Sequence, residues 1–302
     1  MDLSYYPGCT LKTKARNLAD STVASMAALG VNLVELPRWN CCGAVYGLTE
    51  DNLLHQLAPV RNLIRVREQG YSRVVTICSQ CYHVLKRANR LMRTDPEKRK
   101  TVNSFMDEGV DYRGEVEVVH LLEVLRDDIG WKNLAQAVKI PLRGLKVAPY
   151  YGCTLLRPRE IALDSPEMPT ILDDLLHALG ATPVYFPAST RCCGSFQVVA
   201  DPDFTARCSR EILDSALLSG AEALALSCPL CSFNLGSSQK ELSQLHSDIR
   251  VVPVLYFTQL LAISLGLIPE VCRFELNDDE SRLILQSKGI LGEVPVETGK
   301  QG

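Results

Sequence analysis

The sequence predicts an α/β protein built from two similar domains, each around a parallel sheet. Three observations predict it. Strand-like and helix-like segments alternate along the chain; the pattern is written twice, about 145 residues apart; and in both copies the cysteine motifs follow predicted strands.

The first copy begins with a strand-like Leu3 to Tyr6. Ala15 to Leu29 then carries apolar residues at helical spacing and stops at Gly30. Val31 to Leu36 alternates as a strand and runs into a loop holding Cys41 and Cys42. Asn52 to Glu68 is helical up to Gly70, Arg73 to Ile77 is a strand ending at Cys78, and a helix follows from about Gln80 to Met92. Thr94 to Gly114, rich in Lys, Asp and Glu, reads as a solvated insertion. The second copy repeats the order, with a strand at Leu145 to Tyr151, a helix at Ile171 to Leu179 and a strand at Pro183 to Phe186. A helix at Asp203 to Leu218 and a strand at Ala223 to Ser227 then lead to Cys228. Such alternation implies right-handed crossovers and Rossmann-like domains with a pseudo-two-fold relation. A boundary near Pro141 to Gly144 gives domains 1–143 and 144–302, the second ending in a polar, peripheral tail from Glu275 onward.

The repeat is visible in particular residues. Tyr5-Tyr6-Pro7-Gly8-Cys9-Thr10-Leu11 returns as Pro149-Tyr150-Tyr151-Gly152-Cys153-Thr154-Leu155, Cys41-Cys42-Gly43 as Cys192-Cys193-Gly194, and Cys78-x-x-Cys81 as Cys228-x-x-Cys231. In the first copy 31 residues separate Cys9 from Cys41 and 35 separate Cys42 from Cys78; in the second the gaps are 38 and 34. Ten of the 12 cysteines therefore fall into two sets of five. Ligands of parallel sheets bind outside the carboxyl ends of the strands, so three loops should bring five thiols together at one edge of each domain.

Composition narrows the function classes. The 302 residues carry 32 Lys plus Arg against 35 Asp plus Glu, a net charge of −3, which argues against nucleic acid or acidic lipid as the main partner. The first residues have no basic start and no apolar run, so a cytoplasmic, thiol-preserving setting is expected and disulfide frameworks are not. Val251 to Pro269 is 19 residues without charge, but Pro253, Gln259, Ser264 and Gly266 within it favour a short strand, Arg250 to Val254, and a buried helix over a membrane span.

Five thiols are one more than a tetrahedral zinc or a cubane 4Fe–4S cluster takes. The extra thiol fits either a spare redox group or a cluster in which one sulfur bridges two irons; an adjacent Cys-Cys pair suits bridging. A vicinal disulfide would have to occur twice and leave three unmatched thiols each time. Gly8, Gly43, Gly152 and Gly194 let backbone approach such a group, and Pro229 suits a first helical turn. Lys12, Lys14 and Arg16 follow one leading cysteine, and Arg157 and Arg159 the other. They are either solvated helix starts or groups that meet an anionic substrate and offset cluster charge.

This motif order, present twice, resembles the cysteine-rich CCG domains of the heterodisulfide reductase B-subunit family. The resemblance covers nearly the whole chain, including Cys228-Pro229-Leu230-Cys231. It implies that Cys9, Cys41, Cys42, Cys78 and Cys81 hold one noncubane 4Fe–4S cluster, and Cys153, Cys192, Cys193, Cys228 and Cys231 a second. Both would lie at the strand ends near the domain interface. It further implies reduction, or reversible formation, of a disulfide such as CoM-S-S-CoB, one electron per cluster; from their position after the leading cysteines, Lys12, Arg157 and Arg159 are the candidate substrate-binding residues. The alternative is an iron–sulfur electron-transfer subunit of a respiratory oxidoreductase.

The chain has no ferredoxin-type cysteine run and no nucleotide-binding glycine fingerprint. The resemblance therefore implies a ferredoxin-like iron–sulfur subunit as immediate partner, a flavin-containing subunit behind it, and a hydrogenase or other electron donor. Cys208 and Cys272 read as buried filler. Trp39 is expected to shield the Cys41-Cys42 loop, and none of the histidines has ligand-like spacing; His83, two residues after Cys81, reads as a helix-face residue.

Overall fold

The computed structural model describes residues 1–44, 52–106, 109, 111–245 and 251–292, with side chains of 237, 238 and 240–245 left out. Two four-stranded, all-parallel sheets have the same strand order, 2-1-3-4 in each half. In the first, β1 (Asp2–Tyr5) lies between β2 (Asn32–Glu35) and β3 (Arg73–Thr76), and β4 (Glu117–His120) pairs with β3. In the second, β5 (Lys146–Pro149) lies between β6 (Thr182–Pro183) and β7 (Ala223–Leu226), with β8 (Val254–Tyr256) on the far edge. The central β7 reads Ala-Leu-Ala-Leu and is buried throughout, as expected of a parallel strand covered on both faces.

The helices of the first half are α1 (Arg16–Ala28), α2 (Leu57–Glu68), α3 (Ser79–Thr94), α4 (Pro96–Ser104) and α5 (Trp131–Ala137). Those of the second are α6 (Ile171–Ala178), α7 (Pro202–Leu218), α8 (Pro229–Leu245), α9 (Phe257–Ser264) and α10 (Asp279–Ser287). The halves exchange helices. After β8, α9 packs on α1 of the first half; after β4, α5 packs on α6 of the second. Ser21 Oγ and Thr258 Oγ1, both buried, meet 2.7 Å apart across the first of these contacts. The core is consequently continuous from one half to the other.

Several expectations need correction. The edge strand expected at Pro183 to Phe186 is only Thr182–Pro183, with one further ladder bond from Val184 N–H to the Val147 carbonyl at 2.8 Å; Pro183 is tolerated because its missing N–H would face away from β5. The strand expected at Arg250 to Val254 starts at Val254, directly after Pro253, whose carbonyl accepts from Leu224 N–H; Arg250 lies outside the described residues. The Thr94 to Gly114 segment is not merely solvated: Tyr112 is fully buried and its hydroxyl donates to Asn89 Oδ1 at 2.6 Å. Nor is the segment after Glu275 peripheral at its start. Asn277 donates to the Val254 carbonyl and accepts from Asn17 of the first half, stitching the seam. Among the described residues no helix is long and apolar enough to cross a membrane. The uncharged stretch instead forms β8 and the buried α9.

His120 closes β4 and caps the next turn. Its Nε2–H donates to the Ile77 carbonyl at 2.6 Å, while Nδ1 accepts from Leu122 N–H, so the neutral ring is fully used. Burial pushes its pKa down to about 4 from 6.5. The unfolded chain takes up a proton below pH 6.5 that the native chain refuses until about 4, so stability is lost as pH falls through that window. The loss from this residue is about 3 kcal/mol. Denaturant midpoints between pH 7 and 4 check this: His120→Asn should flatten the slope, and an unchanged slope would assign it to other groups.

Candidate metal centre between the two halves

Each cysteine set sits where its sheet ends. Cys9 follows β1, Cys41 and Cys42 follow β2, and Cys78 is the residue before α3, with Cys81 in its first turn. Cys153, Cys192, Cys193, Cys228 and Cys231 occupy the matching places after β5, β6 and β7. Two tyrosines hold the loops. Tyr6, completely buried, donates to the Asn40 carbonyl at 2.9 Å, and Tyr150 to the Arg191 carbonyl at 2.8 Å. Each hydroxyl thus fixes the residue before a Cys-Cys pair. Trp39 packs edge-on against Tyr6, with ring centroids 5.9 Å apart.

The ten thiols form one continuous series. Cys9 Sγ lies 3.7 Å from Cys41 Sγ, and Cys42 Sγ 3.7 Å from Cys81 Sγ. Cys41 and Cys42, and likewise Cys81 and Cys78, are close enough for each to perturb the other's ionisation. Cys78 then meets Cys228 of the other half, side chain to side chain. From there the order runs back outward through Cys231, Cys193 (3.4 Å from Cys231 Sγ), Cys192 and Cys153. Beside the crossing point, Ser79 Oγ and Ser227 Oγ are 2.5 Å apart and buried. The middle of the series is buried, whereas Cys9, Cys41 and Cys192 at its ends are exposed.

Packed this closely, the thiols cannot all ionise unaided. Hydrogen bonds from Cys228 and Cys81 hold the Cys78 thiol well below its usual pKa, while Cys42 and Cys78 push Cys81 well above. In the second half Cys153 and Cys193 hold Cys192 down to about 3; Cys192 and burial drive Cys153 up. A multiply charged cation is what lets every member be a thiolate at once.

Among the described residues no group of three or more His, Cys, Asp or Glu side chains is arranged to hold a single metal ion. The donor set instead suits a polynuclear thiophilic group: five thiols per half, with glycine backbone left open beside them. A Cβ on Gly8 would come 2.9 Å from Cys81 Sγ, and one on Gly152 3.6 Å from Cys231 Sγ.

The other predicted residues separate. Lys12 pairs with Glu35 at 2.5 Å and is turned to that partner. Arg157 and Arg159 line a cavity of about 680 Å³ together with Cys153 and Cys192. Two of its walls, His83 and Arg87, come from α3 of the first half, and the sequence gives no local sign of that. Cys272 is buried, its thiol donating to the Gln259 carbonyl. Cys208, expected to be buried, is only half-buried on α7.

A duplicated parallel α/β fold with paired five-cysteine loops defines a cysteine-rich domain protein, and the family model described as CCG, cysteine-rich domain, matches twice, over residues 3–86 and 147–236. The chain belongs to this family and, within it, to the B-subunit family of heterodisulfide reductases. It is 31% identical over 91% of its length, and 93% of the relative's, to the B subunit of the ferredoxin/F(420)H(2)-dependent CoB-CoM heterodisulfide reductase of Methanosarcina acetivorans. It is 34% identical over 88% of its length, and 93% of the relative's, to the 8-methylmenaquinol:fumarate reductase membrane anchor subunit of Wolinella succinogenes. A hypothetical protein from Helicobacter pylori shares the fold, with a TM-score of 0.74 at 15% identity, over 91% of this chain and 51% of that one. The chain is thus an oxidoreductase subunit of heterodisulfide reductase type.

Gly8→Ala and Gly152→Ala test the cradle. Both place alanine at positive φ, +75° and +64°, at a cost of about 1–2 kcal/mol. Only Gly8→Ala also drives a methyl into a cysteine sulfur. It should lower the melting temperature more than Gly152→Ala and alter Cys81 thiol reactivity; equal effects would mean that close approach plays no part.

Proposed function

We propose that this chain is the catalytic subunit of a heterodisulfide reductase-type complex, reducing or reversibly forming a small-molecule disulfide at two noncubane 4Fe–4S clusters. Cys9, Cys41, Cys42, Cys78 and Cys81 would hold one and Cys153, Cys192, Cys193, Cys228 and Cys231 the other, on domains 1–143 and 144–302. The observation that carries the reading is the meeting of the two five-thiol sets across the halves, where Ser79 and Ser227, the neighbours of Cys78 and Cys228, lie 2.5 Å apart and the two thiols perturb each other's ionisation. A disulfide takes two electrons and two protons to become two thiols, and such clusters, when bound, supply one electron each.

The chain's own residues do the rest. Tyr6 and Tyr150 hold the Cys-Cys loops, the Ser79–Ser227 contact fixes the halves against each other, and the exposed ends of the series leave a route for the substrate. Electrons would arrive from a ferredoxin-like iron–sulfur partner and a flavin-containing one behind it, fed by a hydrogenase or other donor, in the cytoplasm. A second reading, an electron-transfer subunit of a respiratory oxidoreductase, is favoured by the relative named as a fumarate reductase subunit.

Anaerobic purification should give about eight iron and about eight acid-labile sulfide per chain. Cys42→Ser and Cys193→Ser should each remove about half. Zinc without sulfide would end the cluster assignment. The two readings separate by EPR: a signal that responds to added thiol or disulfide supports catalysis at the clusters, and one indifferent to both supports electron relay.

A further inference from the structure

Two cavities flank the cysteine loops, one lined by the leading Cys153 and the other by Thr10, the residue after Cys9, and their described linings are opposite in charge. Beside Cys153 lies the cavity of about 680 Å³, and beside Thr10, next to Cys9, one of about 840 Å³. Both are of ligand size. Thr154 of one corresponds to Thr10 of the other, each following a leading cysteine. His83 corresponds to Phe233, each two residues after the last cysteine of its set.

The charged walls do not correspond. Among its described lining residues the cavity at the second centre has Arg87, Arg157 and Arg159 against one carboxylate, Glu167, which pairs with Arg159 at 2.7 Å. The cavity at the first centre has Lys14 as its lone cation among the described lining residues, against Asp278, Asp279 and Glu280 at the start of α10. The second cavity also has a built-in polar anchor. His83 is only 4% exposed, its Nδ1 lies 3.3 Å from the Thr154 carbonyl, and its Nε2 has no hydrogen-bond partner among the described residues. In the first cavity the matching side chain is the exposed, apolar Phe233.

We infer that the two centres are specialised by charge: the cavity of Arg87, Arg157 and Arg159 takes a thiol or thioether bearing an anionic group, such as a carboxylate, while the cavity of Lys14 and Asp278 to Glu280 disfavours that anion. The inference rests on the disulfide reading for its chemistry, and on the cavity alone for its charge. Each substrate half would then have its own place, because clustered guanidinium groups attract an anion more strongly than a single one.

Equilibrium binding to the full-length chain, purified anaerobically, tests it. The probes are 3-mercaptopropionate, neutral 2-mercaptoethanol, and 3-(methylthio)propionate, which carries the anion but no thiol. The anionic thiol should bind about tenfold more tightly than the neutral one, and salt should shrink the difference. The double variant Arg87→Gln/Arg157→Gln should bring the ratio close to one, with iron and sulfide unchanged. Glu167→Gln, which touches neither arginine of that pair, should raise the ratio and keeps the test open if the double variant fails to load. Lys14→Gln should leave it unchanged. Equal binding of both thiols, a ratio indifferent to the arginine and Glu167 variants, or an equal loss with Lys14→Gln would overturn the assignment. If 3-(methylthio)propionate keeps its variant dependence while no thiol perturbs the EPR signal, the anion cavity stands and the disulfide reading falls.

Discussion

The contact between Cys78 and Cys228 is the constraint around which the rest of the molecule is organised. Two sets of thiols, each crowded enough to suppress its own ionisation, are brought together rather than kept apart. An arrangement that concentrates negative charge at a buried seam is unfavourable unless something offsets it. The fold answers with rigidity. Parallel strands end at the seam, tyrosine hydroxyls hold the loops from below, and the exchanged helices lock the halves so that the seam cannot widen.

The exchange of α5 and α9 gives the duplication its mechanical meaning. Two independent copies joined by a linker would leave the relative position of the cysteine sets to a mobile interface. Here α9 lies on α1 and α5 on α6, and Asn277 ties the end of the second half to Asn17 of the first. Opening the seam would therefore disrupt both cores at once.

Much of this was legible in the sequence, and what was legible has a common physical origin. Local periodicity marks strands and helices, so the alternation and its repetition read directly, and cysteines just past strands fall at sheet edges in any parallel fold. The shortened β6 was missed because an edge strand has only one partner to set its length, and the late start of β8 because Pro253 offers no ladder donor. The helix exchange, the reach of Tyr6 and Tyr150, and the intrusion of His83 and Arg87 into the other half's cavity have no local signature. They exist only once the halves are packed. The tyrosines did leave one mark, since they recur three residues before each leading cysteine.

The basic residues show how a shift of one residue conceals a difference in chemistry. After Cys9 they stand three, five and seven positions on, at Lys12, Lys14 and Arg16; after Cys153 they stand four and six on, at Arg157 and Arg159. As composition the two stretches look alike. As geometry they are not, because the residues matching Arg157 and Arg159 are Thr13 and Ala15, and Lys12 is drawn to Glu35. A duplicated gene starts with two equal sites, and a disulfide of unlike halves cannot be oriented by equal sites. Keeping the ten cysteines in matching positions while the flanking register drifts gives two five-cysteine sets of one pattern beside cavities whose described linings differ in charge. The cysteine pattern stays symmetric across the duplication, whereas the charged walls beside it do not.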